Sequence, residues 1–243
     1  MKMAGNTNLT ADTKLSDAVS ANPFLLLLLE HLDIELPLQE KTLGEVSAEH
    51  QIRPDLFLTF ANLYNDLHHG IESHFSGDDI SAILRYLKNS HRYYSEEIYP
   101  RILNTIGEMS QSENRQETVM VKKFFDEYFS EVKVHLDYEN ETVFPYILHL
   151  HERLSGKAGQ GGIRNYSVAE YREHHDDIEE KLDDLKNLLI QYLPMKEGRQ
   201  MRRKLLFSLF ELEHDLKIHS RVEDYILVPL VSSMEEQLNK GTA

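Results

Sequence analysis

His135, Glu139 and Pro145 recur as His219, Glu223 and Pro229, in the segments HLDYENETVFP and HSRVEDYILVP. In each segment the carboxylate follows the histidine by four residues and the proline follows the carboxylate by six. Residues four apart share one face of a helix, so each pair aims an imidazole nitrogen and a carboxylate oxygen the same way. A further histidine, His91, lies 44 residues before His135, and another, His174, lies 45 before His219. Four imidazoles and two carboxylates in two similar halves form a ligand inventory for two first-row transition ions. His175 sits about 100° around the helix from His174, and the apolar stripe Tyr171, Ile178, Leu182, Leu185 admits either as the inward one.

The gaps between these residues say what must carry them. If two consecutive antiparallel helices bring two residues to one level, the connecting turn falls near the midpoint between them. The midpoint of His91 and His135 lies in SQSENRQ at 110–116, that of His135 and His174 beside SGKAGQGG at 155–162, and that of His174 and His219 in PMKEG at 194–198. All three stretches have turn composition. Each ligand then lies roughly 20 residues, or about 30 Å, along its helix from a turn. The reading is all-α: an up-down-up-down four-helix bundle with polar ligands interrupting each apolar stripe at its middle.

The first helix carries Ile83, Leu84, Leu87, His91, Tyr94 and Ile98 on one stripe, with Asp78 or Asp79 as its cap. The second spans about 115–150, with Phe124, Tyr128, Val132, His135, Glu139 and Val143 facing inward; the third covers about 166–193. The fourth, about 197–236, has Leu206, Leu209, Leu212, Leu216, His219, Glu223 and Ile226 on its inner side. Pro100, Pro145 and Pro229 are expected to kink their helices. Ahead of this domain, which takes residues 76–243, residues 1–75 read as a small helical module. Its pieces are 15–31, broken at Asn22-Pro23, a helix capped by Thr42 with Glu45 three residues on, and another begun by Pro54. Residues 1–12 read as a disordered leader. The apolar run PFLLLLL at 23–29 needs a covering surface, from the bundle, a second subunit or a client protein.

Composition narrows the function. The 243 residues are 41% hydrophobic, enough for a real core, and carry a net charge of −15 with no basic stripe. Such a surface disfavours nucleic acid and anionic membranes as partners. The longest apolar run is too short to span a bilayer, and MKMAGNTNLTADTK has no apolar signal core, so the expected location is cytoplasmic. The absence of cysteine removes disulfides, thiolate metal sites and cysteine nucleophiles.

Six side chains complete two ions only if the carboxylates are shared. Two shared carboxylates and an oxo or hydroxo bridge leave about one open position on each ion, where oxygen, nitric oxide or peroxide could bind. A mononuclear site with two histidines and one carboxylate is the nearest alternative. Tyr94, three residues after His91, and Tyr171, three before His174, are candidates to line the cofactor site or hold a ligand. Glu96 and Glu97 read as solvent-facing, and His68, His69 and His74 as a solvated junction.

The segments HLDYENETVFP and LEHDLKIHSRVEDYILVP, with YLKNSHRYYSEEIYPRI at 86–102 and YREHHDDIEEKL at 171–182, resemble the hemerythrin-like superfamily. Its Glu-His signature in the third helix implies His174 rather than His175 as the ligand. Over roughly residues 15–235 the chain is similar to the di-iron proteins implicated in repair of iron centres after nitrosative or oxidative stress. That resemblance implies two non-haem iron ions, oxo- or hydroxo-bridged, and a diatomic ligand such as O2 or NO. It also implies a damaged iron–sulfur protein as client; a homodimer is the assembly in which a second subunit covers the run at 23–29. Sensor and oxidase or peroxidase-like roles are the alternatives. The family's N-terminal domain usually carries a cysteine pair; the corresponding HLDIELPLQEKTLGEV at 31–46 has none.

Overall fold

Proline and short polar side chains punctuate the chain, and the helices begin, break and widen at them. The computed structural model describes residues 8–71, 74–109, 115–156, 166–173, 178–191 and 199–241. Four short helices come first: α1 Leu15–Ala21, α2 Leu25–His31, α3 Leu43–Glu49 and α4 Pro54–Asn65. Beyond them lie α5 Ile80–Tyr93, α6 Tyr99–Met109, α7 Arg115–Tyr138, α8 Phe144–Leu154, α9 Val168–Glu173, α10 Ile178–Gln191, α11 Arg199–Val222 and α12 Val228–Gly241. The architecture is all-α, a compact helix bundle preceded by additional N-terminal helices, with no sheet among the described residues. No helix among them is long and apolar enough to cross a membrane.

The N-terminal helices obey their local signals. Asn22 separates α1 from α2: its side-chain amide donates to Tyr64 O at 2.8 Å and its Oδ1 accepts from the Phe24 amide at 3.1 Å. Thr42 and Glu45 form a reciprocal capping box on α3, and Pro54 occupies the first turn of α4, where a missing N–H costs nothing. The leader expectation fails for residues 8–12. Asn62 accepts from Leu9 N at 2.7 Å and donates to Leu9 O at 3.0 Å, and Ala11 O accepts from Gly44 N at 2.9 Å. A buried amide side chain on α4 thereby pins an irregular segment that composition alone leaves unstructured. The leucine run finds its cover within the chain, since Leu25, Leu27, Leu28 and Leu29 are buried and only Leu26 is exposed.

Three interruptions of the long helices have one form. Residues Tyr94–Ile98, Glu139–Val143 and Glu223–Leu227 are π-helical, and Pro100, Pro145 and Pro229 each stand two residues beyond. A proline inside an α-helix removes one i→i−4 bond and crowds the carbonyl four residues back. Widening the preceding turn moves the bonding to i→i−5, as Tyr99 N–H to Tyr94 O and Val228 N–H to Glu223 O show. The expected kinks are thus wide turns in helices that continue.

Two compact units are distinguished. One comprises Met1–Asn89, Phe144–Val168 and Ile218–Ala243. Its core includes the buried Tyr64 and Tyr86 hydroxyls 3.1 Å apart, with Phe60 and His31 against the Tyr86 ring. Ser76, rather than Asp78 or Asp79, caps the turn before α5, with Asp79 as its reciprocal carboxylate; Asp79 also pairs with Arg53 at 3.3 Å. The other unit comprises Ser90–Val143 and Ala169–Lys217. Here Tyr99, Phe125, Tyr128 and Phe129 form an aromatic cluster in which Phe125, not Phe124, is fully buried. Tyr93 donates to Glu211 Oε1 at 2.5 Å, and Arg101 reaches the same oxygen at 2.6 Å. Burial first, then the Glu211 and Asp215 carboxylates, push the Tyr93 phenol far above its ordinary range.

Candidate metal centre

Glu139 and Glu223 each open a π turn, and both are buried, at 0% and 1% exposure. The histidine one α-helical turn before each is aimed at it, as the four-residue spacing requires. His135 Nε2 lies 3.3 Å from Glu139 Oε1, and His219 Nε2 lies 3.2 Å from Glu223 Oε1. His91, in the last turn of α5, places Nε2 3.4 Å from Glu139 Oε2. Its other nitrogen, Nδ1, is 3.2 Å from Asn140 Oδ1, an acceptor; this contact is a hydrogen bond in the tautomer with the proton on Nδ1, which leaves the Nε2 lone pair for a metal. Tyr171, buried on α9, donates its hydroxyl to Glu139 Oε1 at 2.7 Å.

One donor atom from each of His91, Glu139, His219 and Glu223 lies within 4.8 Å of the others, and all four side chains are buried. His135 stands beside this cluster through Glu139 and is 10% exposed. Two carboxylates withdrawn from water in one space carry a desolvation cost that hydrogen-bond donors offset in part and that a cation or proton offsets more fully. The surrounding imidazoles present Nε2 to that same space, which is a donor arrangement for a metal ion. Nitrogen and oxygen donors without thiolate suit iron, manganese or zinc.

Tyr94 is fully buried, opens the first π turn, and has its ring 5.9 Å from that of Tyr93. Glu96 and Glu97 are exposed, as their place on the helix suggests. His174 and His175 lie outside the described residues. At the junction, the backbone carbonyls of His69 and His74 accept from Arg221 and Arg53. One contact at the site escapes sequence reading. Asn140 is a polar residue on a helix like many others, and its partner His91 comes from a different helix. Tyr171, a candidate from the sequence to hold a ligand, bonds to Glu139, a partner on another helix that spacing within one helix does not single out.

A helix bundle carrying a buried histidine–carboxylate cluster at its interrupted helices defines a class of cation-binding bundle. Residues 82–231 match the model of the hemerythrin HHE cation binding domain, and the chain belongs to that family. No curated protein and no solved structure gives a significant match.

Proposed function

We propose that the chain is a non-haem di-iron protein. Its two ions would be held by His91, His135, His174 and His219 and shared through Glu139 and Glu223. The observation that carries this reading is the split loyalty of Glu139: Oε1 faces His135 and Oε2 faces His91, on different helices. A carboxylate that serves one ion turns both oxygens, or a single one, to the same place; one that serves two divides them. Bound iron would supply redox-active Lewis-acid positions for a diatomic ligand such as O2 or NO. The chain's own residues do the rest. Asn140 fixes the His91 tautomer, Tyr171 orients Glu139, and the buried walls around the cluster keep bulk water from competing for the open positions. Tyr94, at the same place in its π turn as the two carboxylates in theirs, is the candidate to meet the bound ligand.

The biological reading is a response to nitrosative or oxidative stress in the cytoplasm. Repair of damaged iron–sulfur proteins is its narrower form; the sequence contains no cysteine, so any thiol in that reaction would come from the client or another partner. A single-ion site is the second reading, favoured by the four-membered cluster from which His135 stands apart. Metal analysis after iron-replete, anaerobic preparation separates them. About two iron atoms per chain support the di-iron centre, about one supports the mononuclear site, and none with any transition metal would sink both. Exposure of the reduced protein to NO should then generate new visible absorption.

A further inference from the structure

Glu139 has three polar side-chain neighbours, and one of them is not a histidine. Tyr171 donates to Oε1 at 2.7 Å, the same oxygen that stands 3.3 Å from His135 Nε2, while Oε2 stands 3.4 Å from His91 Nε2. The phenol comes from α9, the histidines from α7 and α5. The terminal torsion of a glutamate is broad and roughly two-fold, so nothing in the side chain itself holds the carboxylate plane. A directional O–H donor does hold it. Each carboxylate oxygen has two lone pairs, so Oε1 can accept the phenol and still face an ion.

The geometry points to Tyr171 as a positioning residue that locks the Glu139 carboxylate with its two oxygens divided between two imidazoles. It decides how Glu139 binds metal without touching the metal itself. This role rests on the chain holding metal at the cluster. Without the hydroxyl, the carboxylate rotates freely and turns both oxygens to whichever ion binds first. Metal affinity falls and the ligand field at the ion changes, although the ring still fills the same space.

The test is a Co(II) titration of chelator-stripped protein followed by visible absorption, which reports affinity, stoichiometry and ligand field together. Wild type, Tyr171→Phe, Tyr171→Leu and Glu139→Gln are compared, with thermal melting of each metal-free protein alongside. Both Tyr171 variants should bind Co(II) about 10–100-fold more weakly with shifted bands, the range typical for losing a partner of a metal ligand. The metal-free melting point of Tyr171→Phe should stay near that of wild type. A Tyr171→Phe protein that binds like wild type while Glu139→Gln is impaired overturns the positioning role and leaves the metal centre standing. A collapse of its metal-free melting point assigns Tyr171 to packing and also overturns the role. Failure of wild type to bind Co(II) at all removes the metal centre and this proposal with it.

Discussion

The N-terminal helices and the segment His135–Pro145 use the same residue types to opposite ends. In the first region Glu45 closes a capping box, Pro54 starts a helix and Asn62 clasps a passing backbone. In the second, Glu139 is buried inside a helix, Pro145 comes after a widened turn and Asn140 holds an imidazole. Glu45 sits at a helix end, where its charge meets unpaired N–H groups and water. Glu139 sits mid-helix without those partners, so its burial has to be offset by imidazoles, a phenol and, in the proposed state, a cation. Chemistry arises where a residue suited to an end is placed in the middle.

Paired substitutions across the two regions put that contrast at risk. The largest effect is expected from Glu139→Ala, which removes a donor that no neighbour on α7 can replace. Bound iron should fall to less than half of wild type by metal analysis, whereas Glu45→Ala should leave it unchanged. Retention of full metal content in Glu139→Ala would reduce the buried carboxylate to a structural curiosity. Next comes proline. Pro145→Ala restores an N–H that allows an ordinary α-turn, which should rotate Glu139 and weaken metal binding by about tenfold, the low end for disturbing a ligand's support. Pro54→Ala, at a position that never needed the N–H, should change stability by less than about 1 kcal/mol and metal binding not at all. Equal metal affinity in both would separate the wide turn from the site.

The asparagines are expected to exchange readouts. Asn140→Ala should lower metal affinity with little change in melting point. Asn62→Ala should cost about 1–3 kcal/mol, because it removes two hydrogen bonds to the half-buried backbone of Leu9, with metal affinity intact. The smallest effect is Thr42→Ala, about 1 kcal/mol from the lost cap on α3, read as a slightly lower melting temperature. A measurable change in metal binding there would show that the end-of-helix region is coupled to the chemistry after all.

Features set by a single helix are the ones legible in the amino-acid sequence. α6, α8 and α10 end at Met109, Leu154 and Gln191, ahead of the turn compositions at 110–116, 155–162 and 194–198, of which 110–114, 157–162 and 194–198 lie outside the described residues; Thr42, Asn22 and Pro54 do what their types suggest. The pairings of His135 with Glu139 and His219 with Glu223 are likewise a matter of helical pitch. Features that depend on departures from that pitch, or on other helices, are not legible in the same way. Phe125 rather than Phe124 faces inward on α7, a one-residue difference that an averaged stripe does not resolve. The ordered residues 8–12 depend on Asn62, more than fifty positions away. Proline announces an irregularity in three helices, but whether a helix bends, breaks or widens is decided by what the rest of the turn can pack against.

The wide turns also bear on how this chain can change length. Each holds one surplus residue, relative to α pitch, inside a helix that otherwise runs on. Excising one residue from 139–143 would close that turn to ordinary pitch and leave Pro145 facing a carbonyl it cannot accommodate. The same excision made together with Pro145→Ala meets no such clash. Surplus residue and proline therefore form a linked pair, better tolerated removed together than one at a time.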